Sequence, residues 1–126
     1  MVHVKHVVTD SAWAWAAGLF EGEGCIQFKV GADGSAYPHL TVKMTDSDAV
    51  ARFAEITGGR LLGPYQPGPS GTTIRKPAFV CIVRGQLAYA ALTAFWPWLC
   101  ERRRAKALEA GFNPEDAFEP ASLLLD

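Results

Sequence analysis

Between Ser11 and Gly24 the chain encodes a helix and then sets two carboxylates where a helix tolerates them least. Ser11 to Glu21 is rich in Ala and Trp, with Asp10 as the predicted N-cap and Gly22 and Gly24 as the predicted stop. Glu21 and Glu23 therefore stand at the C-terminal end, where the backbone dipole is already negative and disfavours a carboxylate by about 0.3–1 kcal/mol. Two glutamates at that pole need a compensating cation, and a bound metal ion is the first candidate.

The preceding turns add a second constraint. Ala14, Ala17, Gly18 and Glu21 fall at i, i+3, i+4 and i+7, so one helix face is almost without side chains, flanked by Trp13, Trp15, Leu19 and Phe20. A small-residue face lets two helix backbones approach closely. If two copies of this helix pack on it, their terminal carboxylates converge. The residues alone equally allow an amphipathic core helix closed by a glycine cap, with its glutamates solvated.

A chain of 126 residues makes one domain that buries roughly two thirds of its unfolded surface. A hydrophobic content of 49% suits an ample core. No segment is long and apolar enough to span a membrane and the first ten residues do not read as a signal peptide, so a soluble, intracellular protein is expected. Cys25, Cys81 and Cys100 are odd in number and lack C-x-x-C spacing, which gives neither a disulfide framework nor a zinc ribbon; each reads as a small buried hydrophobe. His3 and His6 have no third ligand nearby. The net charge of −1 is unevenly spread. Residues 109–126 carry five acids and no base, leaving 12 bases against 8 acids, a net of +4, in residues 1–108. The pattern fits a basic face opposed by an acidic tail over 113–126, after one domain over 1–112.

Cys25 to Val30 alternates, with Ile26, Phe28 and Val30 on one side and Gln27 and Lys29 on the other; a turn follows at Gly31–Ser35. His39 to Met44 alternates again, with Leu40, Val42 and Met44 inward and Thr41 and Lys43 outward. The two strands share a polar, Lys-bearing face, which on pattern alone is an ordinary wet sheet face. Thr45–Asp48 starts a helix with Val50, Phe53 and Ile56 as its buried stripe, ended by Gly58 and Gly59. Arg60–Gly63 is a short strand, Pro64–Gly71 a loop, and Thr72–Val83 contains a fourth strand, central because Val80 and Ile82 make both its faces apolar. Leu87–Trp96 is a helix interrupted by Pro97, and Leu99–Leu108 resumes a helical pattern. The order is α-β-β-α-β-β-α with a last short helix.

The run Trp15-Ala-Ala-Gly-Leu-Phe-Glu-Gly-Glu-Gly-Cys-Ile26 resembles the LAGLIDADG motif of homing endonucleases, in the variant with Glu in both acidic places. The resemblance spans roughly residues 10–111 and implies an α+β fold of order αββαββα. Its antiparallel, saddle-shaped sheet lies under helices on one face and offers its concave face to the DNA major groove. Members with one motif act as homodimers. The implied activity is a Mg²⁺- or Mn²⁺-dependent double-strand break at a long pseudo-palindromic DNA site.

By the same resemblance Glu23 binds the metal together with the backbone at Gly22, while Glu21 is structural at the helix interface with Ala14, Ala17 and Gly18. Two further positions flank the metal-bound water. One is Asp46, which also reads as a helix N-cap. The other lies in a pattern like P-x-L-x-x-K-(K/R)-x-Q-A, where Pro97-Trp-Leu-Cys-Glu-Arg102 has Arg in the Lys place and no Gln follows. Arg102 can stabilise phosphate charge but serves poorly as an acid or base; Arg102–Arg104 also reads as a solvated basic helix end. For DNA, Gln27, Lys29, Thr41 and Lys43 are the expected contacts, with Arg75, Lys76, Arg84 and Arg103 as further ones. Arg102 keeps open a non-cleaving relative, an intron-splicing maturase with RNA as partner or a DNA-binding regulator. A dimeric scaffold or metal-binding protein unrelated to DNA is a third class.

Overall fold

The computed structural model describes residues 8–66 and 76–115. Helix α1 runs Asp10–Glu23. Its N-cap is Thr9, one residue earlier than the Asp10 expected, with the Thr9 hydroxyl accepting from the Ala12 N–H at 3.1 Å. Asp10 instead lies in the first turn, where its charge suits the positive end of the dipole. At the other end Gly22 stays helical and Gly24 alone stops the helix. Gly24 has an ordinary extended backbone, φ −82°, so its need is steric: a Cβ there would collide with the Phe20 ring.

Strand β1 (Gly24–Val30) follows at once and pairs antiparallel with β2 (Ala36–Met44) in the register Gly24↔Val42, Ile26↔Leu40, Lys29↔Tyr37. Helix α2 (Ser47–Thr57) ends on Gly58, whose φ of +77° is the left-handed cap that glycine adopts without strain. Strands β3 (Arg60–Tyr65) and β4 (Ala78–Arg84) complete a sheet of order β1-β2-β4-β3, antiparallel throughout. The third strand reaches two residues past its expected end, and β4 is central as its two apolar faces require. Residues 72–75 of the expected fourth strand lie outside the described residues. Helix α3 (Gln86–Phe95) passes into a short 3₁₀ turn, Trp96–Trp98, around Pro97, and α4 (Glu101–Glu109) follows.

Three helices cover one sheet face. Phe20 of α1, Phe53 of α2 and Phe95 of α3 are fully buried and meet in a triad, with ring centroids 5.4–6.2 Å apart. Beneath them lie Ile26, Leu40, Val42, Cys81 and Val83, the inward residues of β1, β2 and β4. Val50, Phe53 and Ile56 form the buried stripe of α2 as their spacing predicts. Two inward assignments fail: Phe28 and Val30 are 53% and 58% exposed, because edge strand β1 runs past the helical layer. Of the cysteines only Cys81 is buried; Cys25 and Cys100 are exposed. Burial pushes the Cys81 thiol up to about 11, although its contact with Thr57 opposes this.

Among the described residues no helix covers the sheet's other face. Alternation places Cys25, Gln27, Lys29, Tyr37, His39, Thr41, Lys43, Val80, Ile82 and Arg84 on it, with Arg60 and Leu62 paired to Ile82 and Val80. All the formal charges in the four strands, Lys29, Lys43, Arg60 and Arg84, are positive and stand on this open face. Among the described residues no helix is long and apolar enough to cross a membrane.

Candidate nucleic-acid interface and metal site

The two glutamates of α1 meet different fates. Glu21 is held from within the chain by α4. Its Oε1 accepts the Cys100 N–H at 2.6 Å, at the N-terminal end of α4, and its Oε2 lies 3.3 Å from Arg103 Nε as an ion pair. Arg103 also donates Nη2 to the Glu21 carbonyl at 3.0 Å and Nη1 to the Gly24 carbonyl, with its guanidinium over the Phe20 ring. It thus caps the end of α1, and the cation called for by the dipole is, for Glu21, a guanidinium. Burial alone would push the Glu21 carboxyl up. The Cys100 thiol and N–H bonds, then the charges of Arg103 and Arg102, outweigh it and hold the group below its ordinary value.

Glu23 has no such partner. It is the last residue of α1, is exposed, and makes no side-chain hydrogen bond or ion pair among the described residues. Gly22 beside it is exposed, with open space where a Cβ would be. No group of three or more His, Cys, Asp or Glu among the described residues could hold a metal by itself. One free carboxylate at a helix end nevertheless suits Mg²⁺, which keeps several waters and takes its remaining oxygens from phosphates. The donor set therefore fits a site completed by waters and phosphate oxygens.

Asp46 lies at the same end of the sheet, two residues past β2, because Val42 pairs with Gly24. Its carboxylate caps α2, accepting the Ala49 N–H at 3.2 Å. Arg102 is exposed and, with Gly24, Cys25 and Lys106, lines a cavity of about 560 Å³ between the start of β1 and α4. The structure so brings Glu23, Asp46 and Arg102 toward one end of the sheet. It does not leave Arg103 to DNA, since that side chain is 15% exposed and bound to α1. Nor is Arg104 solvated: it donates to the Trp96 carbonyl at 2.8 and 3.1 Å and stacks on that ring. Successive helical residues point about 100° apart, so Arg103 reaches α1, Arg104 the Trp96 turn, and Arg102 stays exposed.

On the open face Gln27, Lys29 and Lys43 are exposed and Thr41 is partly so; Gln27 pairs with His39, and His39 with Arg84. Lys76 stands exposed two positions before β4. Arg75 lies outside the described residues. Of the expected helix-interface residues Gly18 is exposed and Ala14 and Glu21 are partly exposed. Ala17 is fully buried in the chain's own core, so it has no surface to give a partner. Sequence reasoning missed His39 and Arg60. The alternation Tyr37, His39, Thr41, Lys43 places His39 on the open face; Arg60 needed the β3–β4 register, which no local pattern gives.

No family model matches the sequence, and no curated protein matches it. Solved structures do. The group I intron-encoded homing endonuclease I-CeuI, solved with DNA, superposes with a TM-score of 0.54 at 17% identity, over 83% of this chain and 54% of that one. The homing endonuclease I-CvuI, solved with its target in the presence of calcium, gives 0.53 at 21% identity, over 79% and 62%. The homing endonuclease I-TnaI gives 0.50 at 14% identity, over 95% and 97%. The chain thus spans less than two thirds of I-CeuI and I-CvuI, and nearly all of I-TnaI. With α1 leading directly into a four-stranded antiparallel sheet, the chain has the fold of these homing endonucleases.

Proposed function

We propose that the protein is a homodimeric, site-specific DNA endonuclease of the homing type, breaking both strands of a long, nearly palindromic duplex. The observation that carries this is the open face: every charged residue of the four strands is basic and lies there, with Gln27 and Thr41 between. A duplex needs cations for its phosphates and bidentate donors for its base edges, and this face has both. The DNA-bound state of I-CeuI and I-CvuI supports the same reading.

Lys43 holds the duplex, and Gln27, Lys29 and Thr41 read it. Glu23, unpaired at the end of α1, together with the backbone at Gly22 would hold Mg²⁺ or Mn²⁺. When bound, that ion polarises the scissile phosphate and lowers the pKa of the attacking water. Arg102 stabilises charge on the phosphate, and Asp46 orients water through the lone pairs its capping bond leaves free. One Glu23 per chain gives one site per strand, so cutting both strands takes two copies, joined along the exposed stripe of α1 at Gly18.

Arg102 in the place of a titratable Lys favours, as a second reading, a relative that binds DNA or intron RNA without cutting. A duplex library with a randomised centre, incubated with protein and Mg²⁺ and sequenced at its broken ends, separates the two. Ends recurring at one symmetric sequence support the endonuclease. Enrichment by binding with no ends supports the second.

A further inference from the structure

A second concavity of about 210 Å³ opens at the far end of the open face, where β3 begins and β4 finishes. His39 of β2, Arg60 of β3 and Arg84 of β4 line it, and Gly58, Gly59, Ile82 and Leu87 complete its wall. His39 pairs with Arg84 and Arg60 with Ile82, so all three basic groups issue from the same sheet face. No acid lines the cavity, and among the described residues neither arginine has an ion pair. The site lies three residues along β2 from Val42, the partner of Gly24, or roughly 10 Å at the rise of a strand.

Two unpaired guanidiniums and an imidazole in one hollow suit an anion with protruding oxygens. On a duplex that anion is a backbone phosphate; a base edge is recessed in its groove and cannot enter a hollow. We propose that His39, Arg60 and Arg84 form a phosphodiester-binding site that holds the duplex at a distance from the cutting centre and so sets its register. This inference rests on the DNA-binding reading of the open face.

His39 gives the site a signature. Burial, then the charges of Lys29 on β1 and Arg84 on β4, holds its imidazole below the ordinary value. Arg60 on β3 lines the same hollow, and Gly58, Gly59 and Leu87 add no titratable group. His39 is therefore mostly uncharged in the free protein near neutrality. A phosphate in the hollow supplies the negative charge that lets it take a proton, so duplex binding tightens as pH falls from about 8 to about 6.

The test compares wild type, His39→Gln and the Arg60→Gln/Arg84→Gln pair for binding to duplexes of several sequences, across salt and pH. The expected result is a loss of affinity in the arginine pair that is uniform over sequences, with the salt slope reduced by about one. His39→Gln should lose the pH dependence. In nuclear magnetic resonance titrations His39 should titrate at higher pH with duplex and unchanged with equimolar inorganic phosphate. A loss confined to particular sequences makes the hollow a base reader and overturns the proposal. So does an unchanged salt slope, or an equal response to inorganic phosphate. If wild type binds no duplex, the DNA reading itself falls; if it binds while the variants match it, only this site falls.

Discussion

Arg103 and Glu21, 82 positions apart, are joined twice: guanidinium to main-chain carbonyl at 3.0 Å and guanidinium to carboxylate at 3.3 Å. The pair ties α4 to the end of α1, two residues before Glu23. Arg103→Ala removes charge-assisted bonds to two carbonyls and strands a partly buried carboxylate. It should cost roughly 2 kcal/mol, or about 8 °C in Tm, by thermal and urea unfolding. Glu21 carries a pH dependence with a definite sign. Its carboxyl lies below the ordinary value of 4.5 in the folded chain, so its contribution is present above that value and lost as pH falls through the lower, folded one. Stability should therefore fall as the pH drops below about 4.5, and Glu21→Gln should flatten that limb.

Asp46 has a structural role that can be separated from a chemical one. Asp46→Ala should lose the α2 cap, about 1 kcal/mol. Asp46→Ser keeps a capping oxygen and should be near wild type in stability. If Asp46 also orients water, Asp46→Ser cuts DNA at least roughly tenfold more slowly while binding it normally, the scale expected for a lost positioning group. Equal cutting by Asp46→Ser leaves the residue as a cap alone.

Gly18 tests the assembly. It is exposed on α1, and a Cβ there would meet nothing within 4 Å. Gly18→Leu therefore leaves the single chain intact, and by helix propensity should stabilise it by up to about 1 kcal/mol. Across a close helix–helix contact the same side chain cannot fit. Light scattering should show wild type at twice the chain mass and Gly18→Leu at one.

Lys29 and Lys43 project from the open face on neighbouring strands. Lys29→Ala should weaken duplex binding and relax preference at one symmetric pair of base positions. A loss spread evenly over all sequences would make it a phosphate contact instead. Lys43→Ala, nearer the Glu23 end, should reduce the salt slope by about one.

The sequence makes much of this legible where the signal is local. Alternation in Ile26–Val30 and Leu40–Met44 predicts the two strands, Val50, Phe53 and Ile56 give α2, and two apolar faces put β4 in the middle of the sheet. The motif's spacing also puts Glu23 at the end of α1, where it lies. What escapes is long-range. Nothing near Arg103 tells that it folds onto α1, since its partners lie 79 and 82 residues away. Phe28 and Val30 follow the inward alternation yet lie outside the core, because helix coverage is a property of neighbours. Arg60 joins His39 and Arg84 through cross-strand register alone.

The most direct test of Glu23 as the metal-bearing carboxylate is cleavage of the selected duplex by wild type and Glu23→Gln, with Mg²⁺ and with chelator. Wild type should cut both strands with Mg²⁺ and neither without it, and Glu23→Gln should bind the same site with similar affinity and leave it whole. Cutting by Glu23→Gln at the wild-type rate would contradict the assignment.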